Sequence, residues 1–236
     1  MAADRVGNRP LLDSIKRLNN TAYMTESNLL PDTRTRLIAA GLHLFGRGGF
    51  DGTSTRELAR RAETNVASIA YHFGGKAGLR QACAESIAHR VSSRMSLADA
   101  DALPQDPQAA LSEIEDTLRQ FATMLYSAPE AEDFVPFLLR ELTEPGEIAE
   151  LIFTRLLLPR HVRLCRLWAL ATGRPAEADA VKLAVFAAIG QLLYFRIARP
   201  LVTRRMNWPG IGPDETAQIT ETVIANLRAA IERSRT

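Results

Sequence analysis

Three observations predict an all-α protein made of a small basic head and a larger helical body. From Asp32 almost to the end, apolar residues recur at helical spacing, with no convincing run of strand alternation. Prolines and glycines break that pattern at intervals suited to helices. Charge is uneven: residues 1–80 hold 12 Lys or Arg against 7 Asp or Glu, whereas the remainder holds 17 against 20. A basic third on a mildly acidic body is how a phosphate-binding unit attached to another domain is built.

Composition bounds the function classes. With 236 residues, 46% of them hydrophobic, the chain can bury the core of one or two domains. Cys83 and Cys165 lie far apart with no C-x-x-C pair, so neither a disulfide framework nor a thiolate metal site is expected. His43, His89 and His161 lack metal-ligand spacing. No signal peptide is evident, and no run approaches the roughly 18 uninterrupted apolar residues of a membrane helix. The reading is a cytoplasmic protein with no membrane association, no metal and no cofactor. Motifs of hydrolases, metalloproteases and nucleotide-binding enzymes are missing, so an enzyme is not expected.

Residues 1–31 lack helical periodicity and are expected to form a flexible arm, which could begin at Met24 instead. The first helix starts near Pro31-Asp32-Thr33, sets Leu37, Ile38, Gly41, Leu42 and Phe45 on one face, and stops at Gly46-Arg47-Gly48-Gly49. A second starts at Ser54, whose spacing to Glu57 is that of a capping box, and runs to about Ala62. Asn65 caps a third through His72, and Gly74-Gly75 precede a fourth reaching about Met95. Asp99 to Pro107 reads as a hinge. Helices then follow at about 108–127, 130–142, 146–171, 177–198 and 214–233.

The segment TSTRELARRAETNVASIAYHFGGKAGL, residues 53–79, places two short helices about three residues apart, as a helix-turn-helix requires. Leu58 and Ala62 on one, and Ile69 and Phe73 on the other, sit four apart and give each a single buried stripe. The outward face of the third helix then carries Asn65, Ala67, Ser68, Tyr71 and His72. These groups are small or hydrogen-bonding and can approach base edges.

With the runs Ala39-Ala40-Gly41-Leu42-His43-Leu44-Phe45, Gly49-Phe50, Thr53-Ser54-Thr55-Arg56-Glu57-Leu58-Ala59 and Tyr71-His72-Phe73-Gly74-Gly75-Lys76, the segment resembles the DNA-binding domain of the TetR family. The resemblance implies a homodimer whose recognition helices enter successive major grooves of operator DNA, with an inducer bound by the C-terminal domains. It puts phosphate contacts on Thr53, Ser54, Tyr71, His72 and Lys76, and base contacts on Asn65, Val66, Ala67, Ser68 and, less directly, Ala70. Glu63 departs from the family's usual glycine, and a left-handed backbone there would be strained. The division expected is 1–31 arm, 32–80 DNA-binding domain and 81–236 effector-binding and dimerisation domain.

The body resembles the CecR-like group of that family at Phe137-Leu138-Leu139-Arg140-Glu141-Leu142, Gly190-Gln191-Leu192-Leu193-Tyr194-Phe195-Arg196 and Trp208-Pro209-Gly210. Apart from any resemblance, Glu177–Ala198 is apolar nearly all round. One stripe can face its own core and the second needs a partner. Small residues such as Ala187 and Gly190 allow close approach, and Asp214–Arg233 offers a companion face, so these two helices are the expected dimer interface. Phe121, Met124, Leu125, Phe134, Phe137, Trp168 and Tyr194, with Arg140 and Gln191 as polar anchors, are the expected walls of a pocket for a small, largely hydrophobic effector. Repression relieved by that effector is the expected mode.

Overall fold

The computed structural model describes residues 31–94 and 102–235. Eleven α-helices and one π-helical turn make up the regular structure among them, with no strand. The predicted arm falls almost wholly outside these residues, as do the first three residues, 99–101, of the predicted hinge.

The head is α1 (Thr33–Gly48), α2 (Thr55–Arg61) and α3 (Ala67–Phe73). Asp32 caps α1 by accepting the Thr35 N–H at 2.6 Å. Leu37, Phe45, Leu58 and Ile69 close a core from which water is excluded. Between α2 and α3 the chain turns through five residues, 62–66, two more than the spacing predicted. Thr64 N–H returns to Ala59 O at 3.0 Å and Glu63 N–H to Arg60 O at 3.2 Å. That crossed pair is a Schellman ending, and it needs a left-handed residue between helix and turn. Glu63 is that residue, at φ +50°.

The body begins with α4 (Lys76–Arg94) and continues with α5 (Pro107–Tyr126), α6 (Ala131–Thr143), α7 (Glu147–Ile152), the π turn Phe153–Leu157, α8 (Leu158–Thr172), α9 (Asp179–Ile197), α10 (Arg199–Met206) and α11 (Pro213–Arg235). The helix expected over 146–171 is helical without a gap from 147 to 172, but five of its residues wind as a π turn, which apolar spacing does not reveal. Helix α10 was not expected: Pro200 and three arginines among its eight residues leave no periodic stripe. Helices α5, α8, α9 and α11 pack around Leu118, Leu167, Trp168, Val185, Leu192 and Leu227, all buried. Glu115 on α5 takes Arg228 of α11 in a two-pronged ion pair at 2.6 and 2.7 Å. That contact holds its carboxyl below the usual range.

The head joins the body chiefly through α1 against α6, the most extensive helix pairing described. Gly46 permits it: a β-carbon there would lie 2.9 Å from Phe137 N and 3.3 Å from Asp133 O. Around this contact His43 Nδ1 lies 2.7 Å from Asp133 Oδ1. Arg80 grips the buried carboxylate of Glu141 at 2.8 and 2.6 Å.

Two substitutions test this account. Gly46→Ala should lower stability by about 1–2 kcal/mol despite alanine's better helix propensity, because the new methyl meets backbone that cannot rotate away. Thermal unfolding followed by circular dichroism reads the loss, and an unchanged midpoint would mean that α1 and α6 are not in this contact. Glu63→Gly should raise the midpoint, by the equivalent of about 0.5–1 kcal/mol, since glycine accepts a left-handed backbone that strains glutamate. A lower midpoint would show the turn to be unstrained.

Candidate nucleic-acid interface

Helix α3 is short, and its geometry follows from one anchor and one cap. Ile69 is 2% exposed and pins the inner face to the head core. Asn65 Oδ1 accepts from Ser68 N–H at 2.9 Å and from Ser68 Oγ at 3.0 Å, which starts the helix and fixes both side chains. Thr64 Oγ1 adds a 2.9 Å hydrogen bond to Ser68 Oγ. What remains outward is Val66, Ala67, Ala70 and Tyr71, the last 86% exposed. A large aromatic ring so fully in water has no packing role to explain it. His72 stacks edge-on against Tyr71 at 5.0 Å between ring centres and is itself half-buried.

The residues expected to meet phosphate divide differently. Thr53 is 3% exposed, and its hydroxyl donates to Gly49 O at 2.8 Å and lies 3.2 Å from Leu44 O. Its side chain is a clasp between α1 and α2, which corrects the expectation of a phosphate contact. Ser54 is exposed and caps α2 through the predicted capping box: Ser54 Oγ accepts Glu57 N–H at 3.2 Å, and Ser54 N–H donates to Glu57 Oε2 at 2.9 Å. That backbone hydrogen bond holds the Glu57 carboxyl below its ordinary range, so a carboxylate already sits where an anion was expected. Lys76 also departs from expectation. Its ammonium donates to Phe50 O at 2.9 Å and Thr53 O at 3.1 Å, and lies 4.1 Å from the centre of the Phe50 ring. A lysine so engaged ties the α1–α2 loop to α4, and phosphate would have to compete with two carbonyls for it.

The arginines of the head were not singled out in the sequence. Arg56, Arg60 and Arg61 are exposed on α2, and Arg34 lies over the Phe73 ring at 5.4 Å. Arg36 instead donates to Ala62 O at 3.0 Å and supports the turn. The basic excess of the first 80 residues was the signal that could have found them.

Among the cavities lined by described residues, none brings the expected effector walls together. Met124 and Phe134 border a slit of only about 20 Å³ among α1, α4, α5 and α6. Trp168 borders a void of about 10 Å³ among α5, α8, α9 and α11. Leu125 is buried and Phe121 half-buried, both packed into the core. Phe137 is fully buried beneath Gly46. Arg140 reaches the head, where Nη2 donates to Arg47 O at 3.3 Å, so it serves the joint rather than a pocket. Gln191 accepts from Asn226 Nδ2 at 2.8 Å and so links α9 to α11. Tyr194 alone borders a sizeable opening, a groove of about 470 Å³ among α9, α10 and α11. Among the described residues no three of His, Cys, Asp and Glu gather as a metal site would require.

Comparison with known proteins accords with this architecture. Residues 37–83 match the family model of bacterial regulatory proteins of the TetR family. Residues 110–232 match that of the C-terminal domain of the HTH-type transcriptional dual regulator CecR. The chain is 32% identical to CecR of Shigella flexneri over 217 residues, which is 89% of this chain and 95% of the relative. It is 29% identical to the regulatory protein RaaS of Mycobacterium tuberculosis over 168 residues, covering 69% and 71% of the two. Among solved structures, AibR in complex with isovaleryl coenzyme A and operator DNA superposes with a TM-score of 0.62 at 16% identity, over 83% of this chain and 97% of AibR. A TetR-like transcriptional regulator from Rhodococcus sp. RHA1 gives a TM-score of 0.58 at 16% identity, over 86% and 97%. An outward recognition helix on a clasped head, a body matching a CecR C-terminal domain and a relative aligned along nearly its whole length lead to one assignment: this chain belongs to the TetR family of transcription regulators, in the group that carries the CecR C-terminal domain.

Proposed function

We propose that the protein is a homodimeric repressor that reads an operator with α3 of each copy and leaves it when a small apolar molecule binds the body. The observation that carries this reading is the outer face of α3, where Val66, Ala67, Ala70 and Tyr71 stand clear of every supporting helix. Small apolar groups there can approach thymine methyls, and the tyrosine hydroxyl can reach a phosphate or a base edge. Asn65 keeps its amide donors outward while its carbonyl oxygen caps α3.

Pairing through α9 and α11 is supported by what α9 leaves uncovered. Leu183, Phe186, Tyr194 and Ile197 are each more than half exposed and form one stripe, with Gly190 at its middle and nothing within 4 Å of where its β-carbon would be. By length and composition α9 could cross a membrane, yet Val181, Val185, Ala188 and Leu192 already face the core. Arg196 near its end is paired to Glu132 at 3.3 Å. A second copy laid along the open stripe satisfies both observations. Paired heads then present two α3 helices to half-sites about one turn, roughly 34 Å, apart. An effector that favours another body arrangement loosens DNA by about 1–3 kcal/mol, or 5- to 150-fold. This reading places the protein in the cytoplasm and assigns it no catalytic role. Consistent with that, burial pushes the Cys83 and Cys165 thiols up, which disfavours the thiolate form.

Selection of bound sequences from random duplexes should return a palindrome, and an enrichment without two-fold symmetry would contradict the dimer. Tyr71→Ala should weaken operator binding by about tenfold or more while leaving the melting midpoint unchanged, as expected for an exposed contact residue. Lys76→Met should instead lower the midpoint and leave the slope of log affinity against log salt as it was, since that slope counts phosphates neutralised by side chains. A slope reduced by about one would restore the phosphate role. Gly190→Trp fills open space in one copy, so it should leave the monomer folded while sedimentation shows the dimer lost. A persisting dimer would place the interface elsewhere.

A further inference from the structure

A largely hydrophobic effector needs a cavity, and the interior voids described among the residues of the body are too small for one. These voids of about 20 and 10 Å³ are of the order of a single water or less. The groove among α9, α10 and α11 is the exception, at about 470 Å³, within the range that small-molecule sites occupy. Its floor is built from buried Ile219 and half-buried Phe195, Val202 and Trp208, and exposed Leu201 and Met206 stand at its edge.

The charge of the groove is as informative as its shape. Arg205 is the one ionisable cation among its lining residues, and none of them is acidic. Its guanidinium is exposed, and neither ion pair nor hydrogen bond occupies it among the described residues. Gln218 and Thr222 of α11, the Tyr194 hydroxyl and the Trp208 indole N–H supply the uncharged polar groups. An apolar trough with one unengaged cation at its edge complements a molecule with an apolar chain and an anionic end.

We propose that this groove is the effector site and that it takes an amphipathic carboxylate of medium chain length, the chain lying over Ile219 and Trp208 and the carboxylate held by Arg205. The inference rests on the regulator reading and locates the ligand within it. Tyr194 belongs both to the groove and to the open stripe of α9, so occupancy bears directly on how the second copy is seated. Helix α10, exposed along most of its length and contributing none of its residues to the buried core, is the wall best able to adjust.

Decanoate serves as the probe, with decanol as its uncharged counterpart. Of the two tryptophans, Trp208 borders the groove and Trp168 lies in the core. Decanoate should therefore shift the emission of the wild-type protein and leave that of Trp208→Phe unmoved. Arg205→Gln should weaken decanoate binding about tenfold and leave decanol binding as it was. On an operator fragment, decanoate should release the wild-type protein at concentrations that leave Arg205→Gln bound. An emission change that persists in Trp208→Phe, or equal decanoate affinity in Arg205→Gln, overturns the site. So does a groove that binds no decanoate and whose variants alter only the sedimenting mass, because its occupant is then the second copy. Operator binding in the absence of probe separates the two readings. If it is intact while decanoate fails to bind, only the groove assignment falls; if it is absent, the regulator reading falls with it.

Discussion

Everything the head can do is conditioned by the close approach of α1 to α6 at Gly46. Two helix backbones meet there with no room for a side chain, so the contact is a fixed hinge point rather than a cushion of exchangeable rotamers. Polar clasps surround it: Asp133 with His43, Glu141 with Arg80, and Arg140 with the carbonyl of Arg47. Glu141 is 2% exposed, so leaving its carboxylate without Arg80 would cost about 3–5 kcal/mol, far more than the pair adds over an apolar alternative. Such a contact contributes little net stability but strongly favours one angle. Arg80 also lies 5.1 Å from the centre of the Phe50 ring, which Lys76 approaches as well, so α6, α4 and the loop before α2 form one connected joint.

The head was legible in the sequence because its determinants are local. Ser54 and Glu57 specify where α2 begins, Asn65 specifies where α3 begins, and four-residue spacings assign Leu58 and Ile69 to the inside. Even the strain at Glu63 could be anticipated, since the residue type conflicts with the geometry of the turn. The body was legible only as a set of helices. Phe137, Trp168 and Met124 carry the same apolar signature whether they wall a cavity or fill a core, and no periodicity separates the two. The choice depends on which neighbour reaches them, as Gly46 reaches Phe137. Helix α10 escaped for a related reason: in RPLVTRRM the charges and the proline hide a helix that the surrounding fold stabilises from outside.

The interface shows a second limit on what position in a motif can say. Resemblance located the segment expected to face a duplex but not which atom at each position is free to act there. Thr53 and Lys76 lie in the right segment, yet the hydroxyl of one and the ammonium of the other are spent on carbonyls inside the head. Tyr71 and the arginines of α2 are the side chains left in water. A buried polar group bonds inward because leaving backbone carbonyls unsatisfied is expensive, and that demand takes precedence over any role toward an outside ligand.

The inward turn of Thr53 and Lys76 matters for genetics. A screen that collects mutants unable to silence a reporter will recover both positions through loss of the folded head alone, so the pattern of hits by itself does not outline a footprint on the duplex. Mutants at these two positions should show reduced cellular abundance and heat-sensitive phenotypes, whereas those at Tyr71 accumulate normally. Measuring steady-state protein level alongside the reporter is therefore what separates the scaffold of the reading head from the surface that reads.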